Sequence, residues 1–212
     1  MTAAARGGGT TPAALPPFTL VTGNAAKRAE AERILLAHGV EGLDCHALDL
    51  PELQSLDLLA VLRAKGEAAW AALGQGGTRA VVVEETGLEL AALGGFPGPL
   101  VKWMLEAVGA EGIARTALAL GEPRAMARCA LLWTDGAQTV VGEGSTSGTL
   151  VLPARGDGGF GWDPVFQPEG ETRTYAELSA AEKDLRGHRG RAWRDLLARL
   201  GREAPRLIAP RG

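Results

Sequence analysis

Short runs of consecutive apolar residues alternate along this chain with longer stretches whose apolar residues recur every three to four positions, the pattern of strands interleaved with helices. FTLVTG at 18–23 predicts a strand ending on a turn. A helix over 25–38 should follow, with Ile34 and Leu35 on its buried stripe and Gly39 as its stop. DCHALDL at 44–50 predicts a second strand, ended by Pro51. Leu58, Leu59, Leu62, Ala69 and Leu73 keep helical spacing, so 56–73 reads as a long helix. After a glycine-rich turn at 74–77, RAVVVEE predicts a buried central strand that finishes in two carboxylates. The loop LGGFPGP leads to two predicted helices, about 100–108 and 111–120. ARCALLWT and the stretch 139–141 predict paired strands, with TLVLP a further one.

This alternation predicts an α/β domain around a mixed sheet. Residues 1–17 and 203–212 are rich in Pro, Gly or Arg without periodicity, so they read as a disordered N-terminal tail and a loosely ordered C-terminal tail. The 18–202 region between them reads as one domain.

Charge changes the picture little. Among 212 residues, 25 acidic side chains nearly balance 22 basic ones for a net charge of −3, so there is no global basic field of the kind that holds nucleic acid. No apolar stretch approaches the roughly 18 residues of a membrane span, and the first 17 residues lack the apolar run of a signal peptide. Cys45 and Cys129 lie in apolar, strand-like contexts and read as core thiols of a reducing compartment, which points to the cytoplasm.

Candidate chemistry sits at the ends of the apolar elements. Thr22-Gly23-Asn24, with Lys27 and Arg28 one helical turn on, fits a phosphate approaching a helix N-terminus, and equally an ordinary turn and N-cap. Glu84-Glu85-Thr86-Gly87 puts two carboxylates after a buried run, where a cation such as Mg²⁺ would neutralise them; a solvated strand end fits as well. Neighbours on a strand point to opposite faces, so one of the two carboxylates is expected to look into a site. Lys102 follows the rigid LGGFPGP loop and could reach a cleft bordering it. FGWDP at 160–164 sets Phe160 and Trp162 around Gly161, followed by Asp163; these rings suit either stacking on a base or core packing. Ser179 and Glu182 match a helix capping box with Lys183 beside it, and His188 and Arg189 sit at a glycine-flanked turn.

In their order and spacing these clusters resemble the inosine triphosphate pyrophosphatase family of Ham1-type enzymes. The likeness rests on VTGNAAKRAEAERIL, LDLPELQ, VVVEETGLELAALGGFPGPLVKWML, FGWDPVFQPEG and HRGRA. It implies a long twisted mixed sheet with helices in two lobes, a nucleotide in the cleft between them, and a homodimer. The implied reaction hydrolyses ITP, dITP and XTP to the monophosphate and pyrophosphate with Mg²⁺, cleansing nucleotide pools. Position by position, the resemblance implies that Thr22, Asn24 and Lys27 hold the triphosphate, that Glu52 and Glu85 serve the metal, and that Lys65 and Lys102 complete the cationic lining. Phe160, Trp162 and Asp163 would embrace the base, with Lys183, His188 and Arg189 closing the site. The general base would be Glu85, or Glu84 if the strand turns the other way. Arg189 donating to a 6-oxo group and Asp163 accepting nearby would disfavour adenine, about 10⁴-fold, by leaving buried groups unpaired.

The chain departs from the family at Glu85, where most members carry Asp, and at Gly187, where Ser is usual. Two further readings stand beside the first: a specialised relative acting on an unusual nucleotide in a biosynthetic pathway, and a nucleotide-binding protein with little turnover.

Overall fold

The computed structural model describes residues 17–74 and 79–207. The predicted N-terminal tail up to residue 16, most of the glycine-rich turn and residues 208–212 lie outside the described residues.

Strands β1 (Phe18–Val21), β2 (Asp44–His46) and β3 (Ala80–Leu90) are parallel, joined by helices α1 (Ala25–Ala37) and α2 (Leu58–Leu73). Then come β4 (Pro97–Gly98), α3 (Val101–Ala119), β5 (Arg124–Thr134), β6 (Thr139–Leu150), β7 (Phe166–Pro168), α4 (Ala180–Arg186) and α5 (His188–Leu207). Among the described residues the sheet runs β2-β1-β3-β5-β6-β7, antiparallel from β3 onward, with the short β4 paired beside the far end of β3. This is the predicted mixed sheet. Helix α5 continues past Glu203, where the C-terminal tail was expected to begin.

Three apolar clusters clothe the sheet. On one face of its first half, Leu20, Val82, Leu131 and Trp133 pack against Ile34 and Leu35 of α1 and Trp193 and Leu196 of α5. On the other face, Val21, Val81, Val83 and Leu132 meet Leu58, Leu62 and Ala69 of α2. The third cluster builds a second lobe at the far end: Leu88, Leu90, Ile113 and Ala117 join Trp162, Phe166 and Tyr175. Cys129 is buried on β5 and Cys45 half-buried on β2; with β1 and β3 between those strands, no disulfide can span them.

Several predicted elements change their bounds. The second strand stops at His46 instead of Leu50, because β1, its one sheet partner among the described residues, turns into α1 after pairing Val21 with His46. The central strand does not finish at the carboxylates. It loses β1 after Val83 but runs on to Leu90 against β5, so Glu84 and Glu85 sit in mid-strand. The stretches 139–141 and 149–153 are not separate strands, since β6 is continuous over Thr139–Leu150. The glycines between them are packing positions: a Cβ at Gly142 would lie 2.5 Å from Leu196, so α5 rests directly on the strand. The two helices predicted after LGGFPGP are halves of α3, broken at Gly109, whose φ of 70° only glycine adopts readily.

Candidate active site

The pleat of β3 decides where the acidic pair points. Side chains two apart share a face, so Glu84 continues the face of Val82 toward α1 and α5, and Glu85 continues that of Val81 and Val83 toward α2. Glu84 is buried at 5% exposure. Its Oε1 and Oε2 both accept from Arg189, at 2.9–3.1 Å; Thr86 Oγ1 donates to Oε1 at 2.9 Å, and Lys27 Nζ lies 3.3 Å away. Burial opposes ionisation, but the Arg189 and Lys27 cations outweigh it and hold this carboxyl well below its usual range. Glu85 receives Lys65 Nζ at 3.0 Å, and the same ammonium lies 3.4 Å from Glu52 on the loop between β2 and α2. Burial would depress Lys65; the Glu85 and Glu52 carboxylates raise it instead.

These residues line one cleft of about 700 Å³ between the lobes, the size of a small-ligand site. At one end lies the turn from β1 into α1. Asn24 is the N-cap there, accepting from the Ala26 and Lys27 N–H groups, while Thr22 Oγ1 accepts from the Asn24 N–H. The capping reading is therefore realised, yet it does not account for Gly23. A Cβ there would meet only Ala47, at 4.0 Å, so neither packing nor backbone demands glycine, and the main chain stays open to the cleft. Lys102, in the first turn of α3, lines the opposite wall with its ammonium 4.9 Å over the Trp103 ring.

At the other end, Phe160 is half-buried beneath two cations, Lys183 Nζ at 4.9 Å and the Arg189 guanidinium at 5.5 Å from its centroid. Gly161 takes φ +65° and exposes the turn. Trp162 is 7% exposed and packs edge-on to Phe166, so most of its ring belongs to the core of the second lobe, although its rim reaches the cleft. Asp163 Oδ2 accepts from the Phe160 N–H at 2.7 Å and from Lys183 at 2.5 Å. His188 stacks on Tyr175 and lies tilted against Trp162; burial, then the Arg189 charge, push it well below its ordinary value. The capping box of Ser179 and Glu182 forms as predicted and starts α4. At Gly187 a Cβ would come within 2.6 Å of the Lys183 carbonyl, so a serine there would require the backbone to shift.

The cleft thus gathers every predicted site residue: Thr22, Gly23, Asn24, Lys27, Glu52, Lys65, Glu84, Glu85, Thr86, Lys102, Phe160, Gly161, Trp162, Asp163, Lys183, His188 and Arg189. Of the residues behind or beside it that were not predicted, Glu30, Gln54 and Trp103 make the polar contacts that matter here. Glu30 is 6% exposed on α1 and pairs with both Lys183 and Arg189, closing an alternating chain of charges from Lys27 to Asp163. Its signal was present: Lys27, Glu30, Ala31 and Ile34 share one helical stripe, where an acid needs a partner. The other two, Gln54 and Trp103, carried no such pattern.

Fold and cleft define a two-lobed α/β protein whose sheet carries a cation-lined site at the point where a parallel strand departs. The Ham1 family profile matches residues 18–199, and the chain belongs to that family. An inosine triphosphate pyrophosphatase of Tuber melanosporum is 42% identical over 181 residues, covering 83% of this chain and 93% of its own. Another, from Batrachochytrium dendrobatidis, is 40% identical over 174 residues, covering 81% and 87%. The Ham1 protein of Staphylococcus aureus has a similar structure, with a TM-score of 0.67 at 26% identity over 87% of this chain and 98% of that one.

Proposed function

We propose that this cleft hydrolyses aberrant purine nucleoside triphosphates, ITP, dITP and XTP, to the monophosphate and pyrophosphate. The observation that carries this reading is the meeting of an open helix N-terminus and Lys27 with a mid-strand carboxylate pair, in one cleft with a cation-covered aromatic turn. The names of the curated relatives support the same substrate class.

Hydrolysis needs a water in line with the leaving pyrophosphate, which carries most of the developing charge. The Gly23 main chain, Thr22 and Asn24 would cradle the phosphates, and Lys27, Lys65 and Lys102 would offset their charge. Glu85 is the general base of choice, because both Glu84 oxygens are already committed to Arg189. Glu84 instead fixes Arg189 and Lys27. The donor set suits Mg²⁺: Glu52 and Glu85 converge within 3.4 Å of one ammonium, and these two carboxylates would hold the ion together with substrate phosphate and water. Bound there, Mg²⁺ would stabilise phosphate charge as a Lewis acid.

At the far end, the Phe160 ring offers a stacking face. Arg189 would reach a 6-oxo group by exchanging a bond it now makes to Glu84, Glu30 or Thr86, and Asp163 would accept while still held by Lys183. A homodimer acting in the cytoplasm, without nucleic acid or a membrane as partner, completes the proposal. Among the described residues no helix is long and apolar enough to cross a membrane.

The test is pyrophosphate release from ITP, XTP, dITP, GTP and ATP with Mg²⁺. Release from the first three far above GTP and ATP is expected. Equal turnover of GTP, or tight binding without release, would sink the reading.

A further inference from the structure

The loop that carries Glu52 is anchored by Leu48 and Leu50 against the α2-facing core, but from Pro51 to Gln54 its residues are exposed. Beyond His46 it has left the sheet, and the Glu52 side chain is 45% exposed, with Lys65 as its ion-pair partner. Two residues on, Gln54 uses both ends of its amide: Nε2 donates to the Glu52 carbonyl at 3.2 Å, and Oε1 accepts from the Trp103 indole N–H at 2.7 Å. Trp103 lies on α3, whose buried residues belong mainly to the second lobe, so this bond crosses the cleft. Core packing does not explain a tryptophan here. Half its surface is exposed, and it lies off the buried stripe of Val101, Ile113, Ala114 and Ala117. The ring also carries the Lys102 ammonium on its face.

We propose that Gln54 and Trp103 form a positioning clasp across the cleft, which fixes the Glu52 backbone so that its carboxylate and that of Glu85 present one cation site. The inference rests on the reading of Glu52 as a cation ligand. Neither residue touches the reacting atoms; both act through Glu52, so their loss falls on cation affinity before it falls on turnover at saturating metal.

The experiment compares wild type with Trp103→Phe, Gln54→Leu and the double variant. Mn²⁺ alone is titrated by loss of its free-ion EPR signal, and pyrophosphate release from ITP is followed against Mg²⁺ concentration. Each single variant is expected to raise the Mn²⁺ dissociation constant and the half-saturating Mg²⁺ about five-fold, the scale of one lost hydrogen bond. The double variant should add nothing further, and neither change should add to Glu52→Gln. Both substituted side chains are exposed, and thermal melts within a few degrees of wild type would confirm folding; should Trp103→Phe fail that check, Gln54→Leu alone decides. Changes under two-fold, additive effects, or a wild type that binds no Mn²⁺ would overturn the clasp. A wild type that binds Mn²⁺, loses affinity in the variants, yet releases no pyrophosphate would overturn the catalytic reading and leave the clasp standing.

Discussion

Glu84 and Glu85 are neighbours in sequence and opposites in surroundings. Glu84 points toward α1 and α5 and is enclosed, with its oxygens taken by Arg189 and Thr86 and Lys27 close by. Glu85 points toward α2, keeps 13% of its side chain exposed, and meets Lys65, a mobile-stemmed cation that a divalent ion can displace. One strand thus supplies a carboxylate that organises cations and another that remains available for chemistry. The division comes from the two-residue period of the pleat alone.

The largest expected effect separates the two outright. Glu85→Ala should lower kcat for ITP by about 10³-fold while urea unfolding stays near wild type, since the proposed general base and metal ligand would be lost from a partly solvated site. Glu84→Gln should do the reverse in stability, costing about 3 kcal/mol in urea denaturation, because Arg189 and Lys27 lose their buried counter-charge. Similar stability losses for both variants would erase the distinction.

Acid sharpens it further. Glu84 and Glu30 titrate below their ordinary value of 4.5 in the folded protein, so the stability they contribute is present above that pH and drains away as pH falls below it. Urea midpoints should decline from pH 6 to pH 3, and Glu84→Gln should flatten that decline. The smallest effect concerns Glu85→Asp, which introduces the residue that the family resemblance implies at this position. Turnover should stay within a few-fold of wild type or rise; a fall to the level of Glu85→Ala would show that the longer arm is required for reach.

Local pattern made the strands, helices and turn chemistry of this chain legible, because periodicity and capping act over a few residues: Asn24, Gly39 and the Ser179–Glu182 box all behave as their neighbours suggested. What escaped was set by partners far away. Strand β2 is short because β1 leaves it, and β3 is long because β5 stays. The glycines of β6 imitate a turn until α5 is seated on them. At the site, the resemblance brought together residues whose individual readings were ambiguous, while Glu30 showed only its place on the buried stripe of α1, since its partners lie more than 150 positions away. Gln54 and Trp103 meet by tertiary geometry alone, which no spacing announces.

The bare face of β6 has a consequence for how this cleft could diversify. Where α5 crosses Gly142 and Gly144 the strand puts no side chain beneath it, so the helix approaches the strand backbone directly there, while Trp193 and Leu196 anchor it in the core beside that crossing. His188 and Arg189, at its first turn, inherit that position. Replacements along the solvent side of α5 can therefore accumulate without moving the His188–Arg189 end of the cleft, whereas one methyl added to the strand would displace it. Change is tolerated on the outer side of the helix and refused on the strand beneath it.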